Sequence, residues 1–277
     1  ISHFLKKIIT DPKNAEGLGR CCEADASLAD IVNEKGIRAG DLACAPVKKA
    51  MTAGQLLYGR FRLDAGAPLH FSATSAVLAA SDHIDPDASV LPRRALKLMR
   101  SEGHVLAELK GRQHLDNNFV VPVVAVYVDE DAPPLNEQYD GKLPIETRPG
   151  LANRLAGILK ARRGAKSGDA VSCEGFQYMV ILRLGERNLN TVLTHDRVAA
   201  QDFPLCRQIA IDLGKALLHL HEKGRIHADF KPLNAVRLGA SWQLIDLGVS
   251  CRIGKRFGVE GGKGPSSGYC PPEMAVV

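Results

Sequence analysis

Apolar positions along the chain change period several times, and each change predicts a different kind of element. Up to about residue 57 they fall in short helical groups. From residue 58 the runs 60–63, 76–80 and 94–99 are short and β-prone, separated by Gly, Pro and Asp, the punctuation of strands and turns. Residues 101–110 switch to helical spacing, with Val105, Leu106 and Leu109 on one face. The run 119–128, interrupted only by Pro122, reads as a buried strand. The stretch 129–172 then opens with Asp129, Glu130 and Asp131 and carries Pro133-Pro134. It holds an amphipathic helix with Leu151, Leu155, Ile158 and Leu159 on one face and Arg154, Arg162 and Arg163 elsewhere. A structureless loop of that length is uncommon inside a domain, so the stretch reads as an insertion with its own helix. Residues 176–182 predict another buried strand. The clearest helix is 204–223: Pro204 suits its first turn, Ile209, Leu213, Leu217 and Leu220 recur at helical spacing, and Lys223-Gly224 stops it. Strand pieces follow at 235–238 and 243–245. Strands first and helices after predict a two-lobed α+β protein.

Composition narrows the partners more than the fold. With 277 residues, 45% apolar and 24% charged, the chain has the make-up of a globular protein of one large or two small domains. Its net charge of +5 comes from scattered basic residues with few aromatics among them, so no nucleic acid is expected as partner. No apolar run approaches the roughly 18 residues that span a bilayer, so no membrane span is expected. Of seven cysteines only Cys21 and Cys22 are close, and adjacent cysteines rarely bridge each other. Reduced thiols and an intracellular, cytoplasmic setting are the expectation. The chain begins at Ile1 with no signal segment and reads as a piece of a longer protein.

Two segments carry candidate chemistry. The first is Ile226-His227-Ala228-Asp229-Phe230-Lys231-Pro232-Leu233-Asn234, and the second is Leu244-Ile245-Asp246-Leu247-Gly248. They resemble the catalytic loop (H-R-D-L-K-P-x-N) and the D-F-G segment of protein kinases. Phosphoryl transfer needs the attacking hydroxyl aligned and its proton accepted, work a carboxylate such as Asp229 does. The triphosphate charge needs hard cations with oxygen ligands, which Asn234 and Asp246 supply. Lys231, two residues past the base, brings an ammonium to the transferred group.

The resemblance implies further site residues. Arg94-Ala95-Leu96-Lys97 is similar to the V-A-I-K strand, so Lys97 is expected to hold the α- and β-phosphates of ATP. Its acidic partner is Glu102 or Glu108. Glu102 is favoured because Leu106 and Leu109 follow it by four and seven positions, although its interval from Lys97 is shorter than usual. The glycine-rich loop is altered: between residues 63 and 77 only Gly66 is a glycine, with Ser72, Thr74 and Ser75 as small hydroxyl residues and Val77 fitting the valine over adenine. Ile181 takes the gatekeeper position, and the backbones of Leu182 and Leu184 are implied to bond the base. The segment 264–273, with Ser266 and Pro271-Pro272-Glu273, resembles the end of an activation segment.

Taken together, the resemblance identifies a serine/threonine kinase of the tyrosine-kinase-like group, with ATP and Mg²⁺ as cofactors and a protein as substrate. The expected domains are a helical segment 1–57, whose stretch 35–50 reads either as an ankyrin-like half repeat or as a plain helical linker, an N-lobe 58–182 with the insertion 129–172, and a partial C-lobe 183–277. Ala228 stands where the family has an arginine that pairs with an activation-segment phosphate. The chain also ends four residues past Glu273, where family members continue for a further run of helices. Two rivals remain: a pseudokinase that binds nucleotide or acts as a scaffold, and a small-molecule kinase of the aminoglycoside type. Lys231-Pro232 and Pro272-Glu273 favour the protein kinases over the latter.

Overall fold

The computed structural model describes residues 10–24, 56–84, 90–135, 143–163, 174–196, 198–199, 201–255 and 267–269. The ankyrin-like stretch 35–50, Ser266 and Pro271-Pro272-Glu273 lie outside them. Contacts divide the chain into two units, Ile1–Ala65 with Ala80–Arg93, and Gly66–Ala79 with Arg94–Val277.

In the first unit, Asp11 caps a 3-10 turn at Pro12–Asn14, its carboxylate accepting from the Lys13 N–H at 3.0 Å, and helix α1 (Ala15–Ala24) follows. Strand β1 (Phe61–Leu63) runs antiparallel to the end of β3 (Ser75–Asp82), with Phe61 opposite Asp82. The Asp82 carboxylate is fully buried, and a buried charge needs a partner. Arg60 supplies it with two bonds, at 2.8 and 3.0 Å.

The second unit is built around a β-sheet. Strand β2 (His70–Phe71) pairs with the start of β3. The order from there is β3, β4 (Arg93–Met99), β7 (Tyr178–Arg183), β5 (Val123–Asp129) and β6 (Ile145–Arg148). Strands β4 and β5 flank β7 antiparallel, and Lys97 lies opposite Val180. Pro122 has no N–H for a ladder, so β5 starts after it rather than at 119. The insertion is not a structureless loop: β6 adds a parallel edge to β5, and helix α3 (Leu151–Arg163) follows it. Asp129 accepts from the Ala152 N–H at 2.7 Å and Glu130 from the Gly150 N–H at 3.1 Å. These carboxylates satisfy donors at the positive end of α3. As its spacing predicts, Leu151, Leu155 and Leu159 are fully buried, with Ile158 half-buried.

Ser101 caps helix α2 (Glu102–Arg112), accepting from the His104 N–H at 3.3 Å. Its Val105 and Leu109 join Val126, Val128, Val180 and Leu182 in one core. A second small sheet has the order β11 (Ser241–Leu244), β10 (Ala235–Leu238), β8 (Arg187–Asn188). Asn188 caps the short helix α4 (Leu189–Thr191). Helix α5 (Phe203–Glu222) is capped by Asp202, which accepts from the Leu205 N–H at 2.9 Å. It buries Ile209, Leu213, Ala216 and Leu220 against Trp242, Leu244 and Leu247. Full burial of a leucine or isoleucine contributes about 1.5–3 kcal/mol, so this face fixes the segments around it. Strands and helices are mixed in the second unit. Among the described residues no helix is long and apolar enough to cross a membrane.

Candidate functional site

The chain leaves α5 through Gly224 and the two-residue strand β9 (Arg225–Ile226), then turns through 227–234 into β10. Three side chains of that turn converge. Lys231 Nζ donates to Asp229 Oδ2 at 2.8 Å, and Asn234 Nδ2 donates to Asp229 Oδ2 at 3.0 Å and to its carbonyl at 2.8 Å. The amide of Asn234 thus spends its donors on Asp229 and leaves Oδ1 as its acceptor atom. Two further bonds tie the turn to the 244–248 segment: the Ile245 N–H donates to the Asn234 carbonyl, and His227 Nε2 donates to the Ile245 carbonyl, both at 3.0 Å. His227 Nδ1 accepts from the Asp229 N–H at 3.3 Å, which fixes the tautomer. Burial holds the imidazole below its ordinary pKa, outweighing the acceptor at Ile245 and the nearby carboxylates. His227 therefore acts as a neutral strut between the two segments.

Two residues here hold the left-handed backbone, Ala228 at φ 64° and Asp246 at φ 60°. For residues with a Cβ that conformation costs about 1–2 kcal/mol, and the bonds on either side hold it in place. At Asp246 it accompanies a carboxylate with side-chain exposure of 37%, whose Oδ1 accepts from Lys97 Nζ at 2.6 Å. The two residues are 149 positions apart in sequence.

Lys97 is also bonded to Glu108, Nζ to Oε2 at 2.9 Å, and the other oxygen, Oε1, takes Arg112 Nη1 at 2.7 Å. Four charges therefore alternate along a line: Arg112, Glu108, Lys97, Asp246. Burial by itself would push the Lys97 ammonium down, but Glu108 and Asp246 outweigh it and hold its pKa above the ordinary lysine value. Burial would likewise raise the Glu108 carboxyl, and Arg112 and Lys97 hold it below its usual range.

This corrects the expected pairing with Glu102. Positions 102 and 108 differ by six residues, about 240° around a helix with 3.6 residues per turn, so they face different sides of α2. Glu102 stays in the first turn, half-buried, while Glu108 is completely buried beneath β4. The short interval from Lys97 to Glu102 was the usable sign in the sequence. Arg112 was not anticipated, although its spacing of four from Glu108 is a helical pair spacing.

The approach of α2 to the 246–248 segment depends on two glycines. A Cβ on Gly111 would lie 2.6 Å from the Leu247 carbonyl oxygen and 2.8 Å from its Cβ, and one on Gly248 would lie 3.0 Å from Glu108 Oε2. Of the other expected residues, Val77 is half-buried in β3 opposite His70. Leu182 is buried in β7 opposite Ala95, with Ile181 beside it opposite Leu96, and Leu184 follows the strand end. The altered loop is a tight turn between β2 and β3. The Ser72 N–H and hydroxyl donate to the Ser75 carbonyl at 2.8 and 3.1 Å, and the Ser75 N–H returns a bond to the Ser72 hydroxyl at 3.2 Å. No protein-family model matches the chain.

Proposed function

We propose that the second unit is an ATP- and Mg²⁺-dependent phosphotransferase site of the protein-kinase type, acting on serine or threonine hydroxyls of proteins. The observation that carries this reading is the bond between Lys97 and Asp246. It brings the candidate phosphate-binding lysine and the candidate metal carboxylate together, with Asp229 and Asn234 braced beside them through Ile245. In this reading Asp229 orients the substrate hydroxyl and takes its proton as the oxygen bonds the γ-phosphorus and the bond to the ADP leaving oxygen breaks. Lys231, already on the Asp229 carboxylate, offers its ammonium to the charge on the transferred group. Lys97 binds the α- and β-phosphates.

The donor set fits Mg²⁺. Among the described residues no three His, Cys, Asp or Glu side chains gather as a metal cage. Mg²⁺ in phosphoryl transfer takes one or two protein oxygens together with phosphates and water, and Asp246 with Asn234 Oδ1 supplies that number. Held by Asp246 and Asn234, the ion would supply charge neutralisation to the phosphates. The kinase-like two-lobed α+β arrangement and the adenine contacts of Val77, Leu182 and Leu184 belong to the same proposal.

One observation favours the nucleotide-binding pseudokinase as a second reading: the Ser72–Ser75 turn bonds its hydroxyls to itself. A single assay separates the two. Phosphate transfer from labelled ATP to a generic protein substrate, lost by about 10²–10⁴-fold in Asp229→Asn with ATP affinity kept, supports the enzyme. ATP·Mg²⁺ binding without transfer by the wild-type chain would replace it with the scaffold, and absence of both would end the nucleotide reading.

A further inference from the structure

Arg112 sits in the last turn of α2 with its side chain 6% exposed, among residues where a guanidinium is costly. Its bonds are all local. Nη1 donates to Glu108 Oε1 and, at 3.0 Å, to the Glu108 carbonyl, and Nε donates to the Val121 carbonyl at 3.1 Å. The remaining nitrogen, Nη2, is buried without a hydrogen-bond partner. A buried ion pair is weak as a stabilising device, and an apolar side chain of similar volume often serves stability as well or better. An orphaned buried donor adds to the cost. Beyond two backbone carbonyls, the stability of the core gives little reason for an arginine here, and its side-chain partner is Glu108.

Glu108 bonds Lys97 through one oxygen only, so on its own its carboxylate is able to rotate and offer either oxygen or neither. Arg112 removes that freedom. It holds Oε1 from the side opposite Lys97, and its own position is fixed by Val121, just before β5. Oε2 is then aimed at Lys97 Nζ with no reorganisation left for the moment a ligand arrives. The guanidinium also shares the Glu108 charge, leaving more of the Lys97 charge for an anion.

We propose that Arg112 is a positioning residue that acts through Glu108 to set Lys97 for nucleotide phosphates. The inference rests on the nucleotide reading above, and its test has one readout with nucleotide and one without. The first is a double-mutant cycle on the full chain with Arg112→Met, Glu108→Gln and the double variant, followed by ATP·Mg²⁺ affinity, turnover and thermal melting. Arg112→Met should lower turnover by about 10–100-fold, as loss of a supporting contact does, and have little further effect in the Glu108→Gln background. Arg112→Lys, which keeps a cation near Oε1 but loses the Val121 bond that fixes it, should restore only part of the loss. The second readout is the ¹⁵Nζ signal of Lys97 in the ligand-free chain. Its proton exchange with water should be slow in the wild type, faster in Arg112→Met and Glu108→Gln, and intermediate in Arg112→Lys.

Additive losses in the cycle, or an Arg112→Lys variant as impaired as Arg112→Met with an unchanged melt, would overturn the positioning role. So would a Lys97 exchange rate indifferent to Arg112. The exchange pattern as expected in a chain that binds no nucleotide would overturn the phosphate role while leaving the Arg112–Glu108–Lys97 coupling in place, so the two failures look different.

Discussion

Glu108→Gln and Glu102→Gln remove the same charge from one helix, yet the structure predicts different outcomes. Glu108 is fully buried between Lys97 and Arg112, whose side chains are 9% and 6% exposed. Without its charge, two buried cations share only Asp246, and the local sum changes from zero to +1. The glutamine amide also turns one donor toward a cation. Breaking a buried pair in this way costs about 3–5 kcal/mol. Glu102 is half-buried in the first turn of α2, where its charge favours the helix dipole by about 0.3–1 kcal/mol. Urea unfolding at pH 7 on the two variants and the wild type should separate these values clearly. The pH dependence adds an independent check. The folded Glu108 carboxyl lies below its ordinary value of 4.5, so its contribution is complete above that value and is lost as pH falls through the folded pKa. That acid limb should flatten in Glu108→Gln and persist in Glu102→Gln. Equal losses in the two variants, or a Glu108→Gln chain within about 1 kcal/mol of wild type, would show that the buried pairing is misread.

His227 predicts a second acid limb at higher pH. When folded, its imidazolium gives up its proton more readily than in the unfolded chain, so the stability it contributes is present above its ordinary value of 6.5 and falls as pH drops below it. Protonation also puts a hydrogen on Nδ1, which faces the Asp229 N–H. Denaturation between pH 7 and 5 should show the limb, and a stability curve equally steep in His227→Gln would refute it. Gly111→Ala should destabilise by about 1–3 kcal/mol through overpacking, since the added methyl meets the Leu247 backbone rather than a movable side chain. A melt unchanged by that substitution would mean α2 shifts freely past the 246–248 segment.

The parts of the fold and site that could be read from the sequence share a cause: their information is local. Residues 226–234 form one turn, so the spacing of Asp229, Lys231 and Asn234 already fixes which side chains meet. Helix α5 was legible because its apolar stripe, Pro204 and the Gly224 stop all agree. Helix α3 was legible inside the insertion for the same reason. Strand β6 was not, because Ile145–Arg148 shows little of the apolar pattern of a buried strand and pairs only as an edge of β5. Edge strands depend on the neighbour that offers them a ladder, and that neighbour is set by tertiary contacts.

The partner of Lys97 was illegible for a different reason. A strand fixes where a lysine points, but the acid that meets it depends on the rotation of a helix about its own axis. That rotation is set here by where the helix must be thin. Gly111 faces Leu247, and Gly248 faces Glu108, so the side of α2 that packs against the 246–248 segment carries Glu108 in its next-to-last turn. Glu102 lies a third of a turn off that side and belongs to the other end of the helix. A glycine inside a helix lowers its stability relative to alanine by roughly 0.5–1 kcal/mol, and α2 holds two; Gly103 beside Glu102 has open space around it while Gly111 meets Leu247, so the close approach, and the acid beside the lysine, belong to the far end of the helix. The same reasoning brings Arg112 into view. One position past the close-approach glycine and four past the acid, it shares the buried end of the helix and pairs there with Glu108.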